Sequence, residues 1–146
     1  MLLSILPSIS LAFGESEETW SGNRTNQTID GGTHTITLSN LTIDSPGLGK
    51  SAIDITGNAD VTFILEGNNT LSGRPNHPAI WVQSGSSVTF EGTGTLNTSA
   101  GGTTPGFGAA GIGGGYGASS NFGNITINGG TIIARGSGGG AGIGGG

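Results

Sequence analysis

The sequence predicts an all-β chain wound as a right-handed parallel β-helix of about four coils. Three observations carry that prediction: a phrase repeated at near-constant spacing, period-two alternation within each phrase, and glycine at the joints. The phrase opens on a small residue and Ile, at Ala52-Ile53, Ala79-Ile80, Gly111-Ile112 and Gly142-Ile143, with spacings of 27, 32 and 31 residues. Its second part is Val61-Thr62-Phe63, Val88-Thr89-Phe90 and Ile125-Thr126-Ile127, and its third is Thr70-Leu71, Thr95-Leu96 and Thr131-Ile132. An earlier, partial unit stands at Ile36-Thr37-Leu38 and Asn40-Leu41. Repeats of this length built only from strands and turns make a solenoid, because each unit leaves apolar surface that only its neighbours can cover. Three short strands per unit match a three-faced coil.

In chain order, Met1 to Gly14 is apolar (Leu2, Leu3, Ile5, Leu6, Ile9, Leu11, Phe13) and ends on Glu15, Glu17 and Glu18. It reads as a signal peptide, too short to span a bilayer, although no Lys or Arg precedes the apolar run. Residues 15–28 are polar and aperiodic, with Trp20 isolated, and are expected to be a linker. Residues 29–146 carry the repeats, with strands from about Thr33. Alternation points Ile53, Ile55, Ile80 and Val82 inward and Asp54 and Trp81 outward, and in the second part it buries Val61, Phe63, Val88, Phe90, Ile125 and Ile127. That leaves Thr37, Thr62, Thr89 and Thr126 as an outward column, one per coil. Glycine is expected at corners that need a positive φ or close approach of the next coil.

The 32 glycines and 5 prolines raise disorder as the competing expectation. Alternation of apolar residues with Thr through residues 33–135 argues against it, whereas 136–146 reads equally well as a glycine-rich tail. The chain stops at the opening of another phrase, so it is expected to be a fragment or module of a longer solenoid. An open solenoid end invites end-to-end self-association.

Nine acidic and four basic residues give a net charge of −5, with no Lys/Arg cluster, so nucleic acid is not an expected partner. Cysteine is absent, which excludes disulfides and thiolate metal sites. Charged residues make up only 9% of the chain, so solubility rests on Thr, Ser and Asn, groups suited to neutral polar surfaces such as sugars.

Two sets of residues could carry chemistry. Glu66-Gly67 and Glu91-Gly92 align phrase on phrase, which would stack two carboxylates about 5 Å apart on adjacent coils. That arrangement reads as solvated corner glutamates, as a Ca²⁺ site of oxygen ligands, or as an acid/base pair; no His or basic residue recurs with them. Trp81, outward on its strand, offers a flat face for a pyranose ring, with Arg74, Asn76 and His77 in the preceding turn. It reads equally as a cover for a fold edge, and His77 as a solvated loop residue. Gly106-x-Gly108-x-x-Gly111 spells a dinucleotide fingerprint by letter, but no strand feeds it and no helix follows.

At Ala52-Ile53-Asp54-Ile55, Val61 to Gly67, Ala79 to Val82, Asn124 to Thr131 and Ala141 to Gly146, the chain resembles secreted bacterial β-helix surface repeats. These are often described as carbohydrate-binding domains of the pectate-lyase-like superfamily. The resemblance spans residues 33–146 and implies a right-handed β-helix, a plant or microbial polysaccharide partner and bound Ca²⁺. Lyases of that superfamily need an acidic Ca²⁺ cluster beside a basic residue, and Lys50, Arg74 and Arg135 fall in turns without one in register. The expectation is therefore a secreted or cell-surface carbohydrate-binding or adhesive module without catalysis. A structural spacer in a large surface protein and an ice-binding solenoid presenting its Thr column are the alternatives.

Overall fold

A computed structural model of the chain describes residues 15–44, 47–102, 105–117 and 121–146. The expected signal peptide, residues 1–14, lies outside the described residues. Among those described, every regular element is a strand: β1 (Glu15–Asn23), β2 (Gln27–Asp30), β3 (Thr33–Ile43), β4 (Ile53–Thr56), β5 (Asp60–Glu66), β6 (Asn68–Pro75), β7 (Ile80–Val82), β8 (Ser87–Gly92), β9 (Thr95–Gly101), β10 (Ile112–Gly113), β11 (Asn124–Ile127), β12 (Thr131–Arg135) and β13 (Ile143–Gly144). Among them no helix is long and apolar enough to cross a membrane.

The strands form two sheets, and every pairing between them is parallel. The larger has the order β11-β8-β5-β3-β6-β9-β12, with β1 laid along β3; the smaller has the order β13-β10-β7-β4-β2. The large sheet curls strongly about β3. Thr33 to Ser39 of β3 pair with β5, while Thr42 and Ile43 pair with β6. Between the two segments the chain bends at Asn40, whose φ of 52° lies in the left-handed region that Asn tolerates. The Asn40 side-chain oxygen accepts the backbone N–H of Asn68 at 3.1 Å, which ties the bend to the start of β6.

Apolar residues from both sheets meet in one core. In the small sheet Ile53 pairs with Ile80, Ile80 with Ile112 and Ile112 with Ile143, so the expected isoleucine column forms in parallel strands. Ile53, Ile80 and Ile112 are fully buried, while Ile143 remains 41% exposed. Facing them, Val61, Phe63, Val88 and Phe90 are also fully buried. The aromatic rings run along the core, with Trp20 and Phe63 centroids 6.3 Å apart and Phe63 and Phe90 5.8 Å apart.

Several expectations need correction. Residues 15–28 are not a linker: β1 pairs with β3 along its whole length and β2 pairs with β4. One apolar residue in nine gives β1 no readable alternation; its backbone pairs with β3 regardless, and Trp20 is buried against the core. Ile125 is only half-buried and Ile127 is 46% exposed, because β11 is the edge of its sheet. Residues 136–146, which could have been a loose tail, are held by the Ala109–Ser137 bridge and by β13 on β10.

Registers also differ. The threonine column is Thr35, Thr62, Thr89 and Thr126; Thr37 pairs with Ile64 instead. Thr95-Leu96 pairs with Asn68-Asn69 rather than with Thr70-Leu71, although Thr131-Ile132 does pair with Thr95-Leu96. Each error is a shift of two residues, which leaves inward and outward faces unchanged and is invisible to a period-two pattern.

The glycines of Ala110 to Gly115 and Ala141 to Gly146 serve backbone-to-backbone stacking. Ile112 N–H donates to the Gly142 carbonyl at 3.0 Å and Gly114 N–H to the Gly144 carbonyl at 2.8 Å. Gly113 has φ +132°, and a Cβ there would run into the Gly144 carbonyl oxygen. Gly113→Ala is accordingly expected to cost about 2–4 kcal/mol, read as a lower urea midpoint. A change below about 0.5 kcal/mol would mean that the two glycine segments are not stacked this closely.

Candidate functional site

Trp81 lies at the centre of β7, between two buried neighbours, Ile80 and Val82, so its side chain leaves the core side of the sheet. Across the sheet it is flanked by Asp54 on β4 and Gly113 on β10. The glycine partner leaves room for the indole, and a Cβ on Gly115 would sit 4.0 Å from Trp81 Cζ2. Trp81 is therefore outward as expected but half-buried, with part of its surface covered by the glycine segment and by His77. The His77 ring stands edge-on to the indole at 5.5 Å between centroids, interplanar angle 62°.

The turn that carries Arg74, Asn76 and His77 is tied on several sides. Arg74 N–H donates to the Lys50 carbonyl at 3.0 Å, His77 N–H to the Arg74 carbonyl at 2.8 Å, and Asn76 N–H to the Gly101 carbonyl at 3.3 Å. Asn76 adopts φ 71° and is exposed. Arg74 Nε and His77 Nδ1 are buried atoms without a hydrogen-bond partner, in a turn otherwise satisfied by backbone. The structure thus brings His77 to Trp81 and places Arg74 and Asn76 in the same tied turn.

Glu66 and Glu91 do not stack as expected. Glu91 pairs with Ile64, and Glu66 pairs with Ser39, so the two carboxylates are two residues out of register across β5 and β8. Sequence alignment matched the Glu-Gly dipeptides by opening a gap, whereas Val61-Thr62-Phe63 and Val88-Thr89-Phe90 continue in ungapped pairing to Leu65 and Gly92. Among the described residues no three or more His, Asp or Glu side chains come together as metal ligands. The register therefore makes Glu66 and Glu91 diagonal rather than direct neighbours.

The threonine column is one residue wide. Its flanking columns are Thr33, Asp60, Ser87 and Asn124 on one side and Thr37, Ile64 and Glu91 on the other. Asp60 accepts the Ser87 hydroxyl at 2.5 Å. Charged residues thus stand in both flanking columns, Asp60 in one and Glu91 in the other.

A second aromatic pair escaped the sequence reading. Phe107 and Tyr116 stack at 5.0 Å with an interplanar angle of 29°, and are 45% and 52% exposed. The available signal was their setting: two large aromatics in glycine-rich segments with no strand alternation to turn them inward. Tyr116 N–H donates to the Asn76 carbonyl at 3.2 Å, which joins this pair to the turn beside Trp81.

No family model, curated protein or solved structure matches the chain.

Proposed function

We propose that the chain is an exported, non-catalytic module, wound as a right-handed parallel β-helix of about four coils, that binds polysaccharide at the cell surface. The coiled reading is supported by the order of pairing. Between successive strands of the small sheet, from β4 onward, the chain contributes one strand to each half of the curled sheet, and all pairs are parallel. Export is supported by the apolar segment before Glu15.

The observation that carries the binding reading is outward, half-buried Trp81 with His77 against its edge and exposed Asn76 in the neighbouring turn. An indole face excludes water from the apolar face of a pyranose, and ring nitrogens and guanidinium groups can address its hydroxyls. At ~25 cal/mol per Å², covering roughly 60 Å² contributes on the order of 1.5 kcal/mol, or about tenfold in affinity.

Trp81→Ala is expected to weaken retention on insoluble polysaccharide about tenfold without lowering thermal stability comparably. Pull-down with wild type and variant measures this directly. Full retention in the variant would place sugar contact elsewhere. A structural spacer is the second reading, favoured by the exposure of Ile127, Ile133 and Ile143 at the edges of both sheets, which suits stacking onto a further coil or end-to-end association.

A further inference from the structure

We infer that Phe107 and Tyr116, with the groove beside them, form a second sugar subsite selective for uncharged glycans; this rests on the reading that the chain binds polysaccharide. The two rings stack on each other and remain about half exposed. Core residues cover one another from water, whereas this pair presents apolar surface outward from glycine-rich segments.

Next to the rings lies an open groove of about 380 Å³, lined by Gly106, Gly108, Tyr116, Gly117, Gly138 and Gly139 among others. That volume is at the small end of ligand sites, and its open side suits a polymer passing across better than an enclosed small molecule. Glycine lining brings backbone N–H and C=O groups close to the surface, where they can meet hydroxyls as donors and acceptors. The walls are held in place: Gly106 N–H donates to the Gly138 carbonyl at 3.0 Å, Ala109 and Ser137 bridge, and the Ser137 hydroxyl donates to the Gly101 carbonyl at 2.7 Å.

Charge decides the ligand class. The four basic residues are Arg24, Lys50, Arg74 and Arg135, none of which lines the groove, and the chain carries a net charge of −5. Carboxylated or sulfated sugars call for a cation at the point of contact and would be repelled by the overall field. An uncharged pyranose needs only an aromatic face and neutral hydrogen-bonding groups. Because Tyr116 is bonded through its backbone to Asn76, the groove adjoins the turn beside Trp81.

Affinity electrophoresis tests this with wild type, Trp81→Ala, Phe107→Ala, Tyr116→Ala and Tyr116→Phe. The gels contain glucomannan, hydroxyethyl cellulose, dextran or polygalacturonate. Phe107→Ala and Tyr116→Ala are each expected to weaken retardation by a neutral polymer about three- to tenfold, Tyr116→Phe to preserve it, and polygalacturonate to retard nothing. Retardation that depends on Trp81 but is unchanged in Phe107→Ala and Tyr116→Ala overturns the subsite and leaves the binding reading standing. Equal or stronger retardation by polygalacturonate overturns the uncharged ligand class. Absence of wild-type retardation in every gel overturns both readings. Both rings are exposed, so unchanged melting curves separate lost binding from lost fold.

Discussion

Phe63→Ala is expected to destabilise the protein by about 3–5 kcal/mol, because it removes the middle ring of the aromatic run and leaves a cavity that neighbouring strands cannot collapse to fill. Phe63 is fully buried, with Trp20 on one side and Phe90 on the other. Its register partners Ile36 and Phe90 are equally buried, so the lost volume is surrounded on several sides by ordered core. For a chain near 150 residues this corresponds to a melting temperature lower by about 10–15 °C. Exposed Phe107 provides the contrast, and Phe107→Ala should shift stability by no more than about 0.5 kcal/mol. Urea unfolding of the two variants measures the difference, and equal midpoints would refute the core described here.

Asn69→Leu is expected to cost a similar amount, about 3–5 kcal/mol, although it replaces a polar core residue with an apolar one of similar size. Asn69 is fully buried at an inward position at the start of β6. Its side-chain oxygen accepts Leu41 N–H at 2.9 Å, and its Nδ2 donates to the Glu66 carbonyl at 3.1 Å and the Thr95 carbonyl at 3.3 Å. One amide therefore satisfies backbone from three separate segments. A leucine would strand those groups away from water, at about 1–3 kcal/mol each.

Leu96 occupies the equivalent position on β9 without such a cost, because Gly92 at φ +90° and Gly94 turn that corner and Gly94 N–H donates to the Leu65 carbonyl at 2.8 Å. Asn68→Ala, at the exposed neighbouring position, should be near neutral. Thermal melts of the two variants give the comparison, and a Leu variant as stable as wild type would mean that the amide does not hold the corner.

How far residues alone led can be judged at particular positions. Ile53, Ile80 and Ile112 form the column that their spacing anticipated, and Val61, Phe63, Val88 and Phe90 face inward as alternation required. Trp81 leaves the strand on the outward side for the same reason. β1 was hidden because its partner is backbone, which has no side-chain signature. Phe107 and Tyr116 were overlooked because their pairing joins residues nine apart within irregular, glycine-rich chain, where no periodicity links them.

The amino-acid sequence by itself determined that this chain is all-β and which face of each repeated strand is apolar, since a period of two is a local property of the extended backbone. Tertiary structure alone decided the register. Thr35 rather than Thr37 joins the threonine column, and Glu91 sits beside Ile64 rather than Glu66. Sliding a strand by two residues preserves its pattern, so the choice falls to packing between neighbouring strands: Ile36 beside Phe63, Phe63 beside Phe90, and the Asn40 and Asn69 amides fastening corners that strand periodicity does not describe.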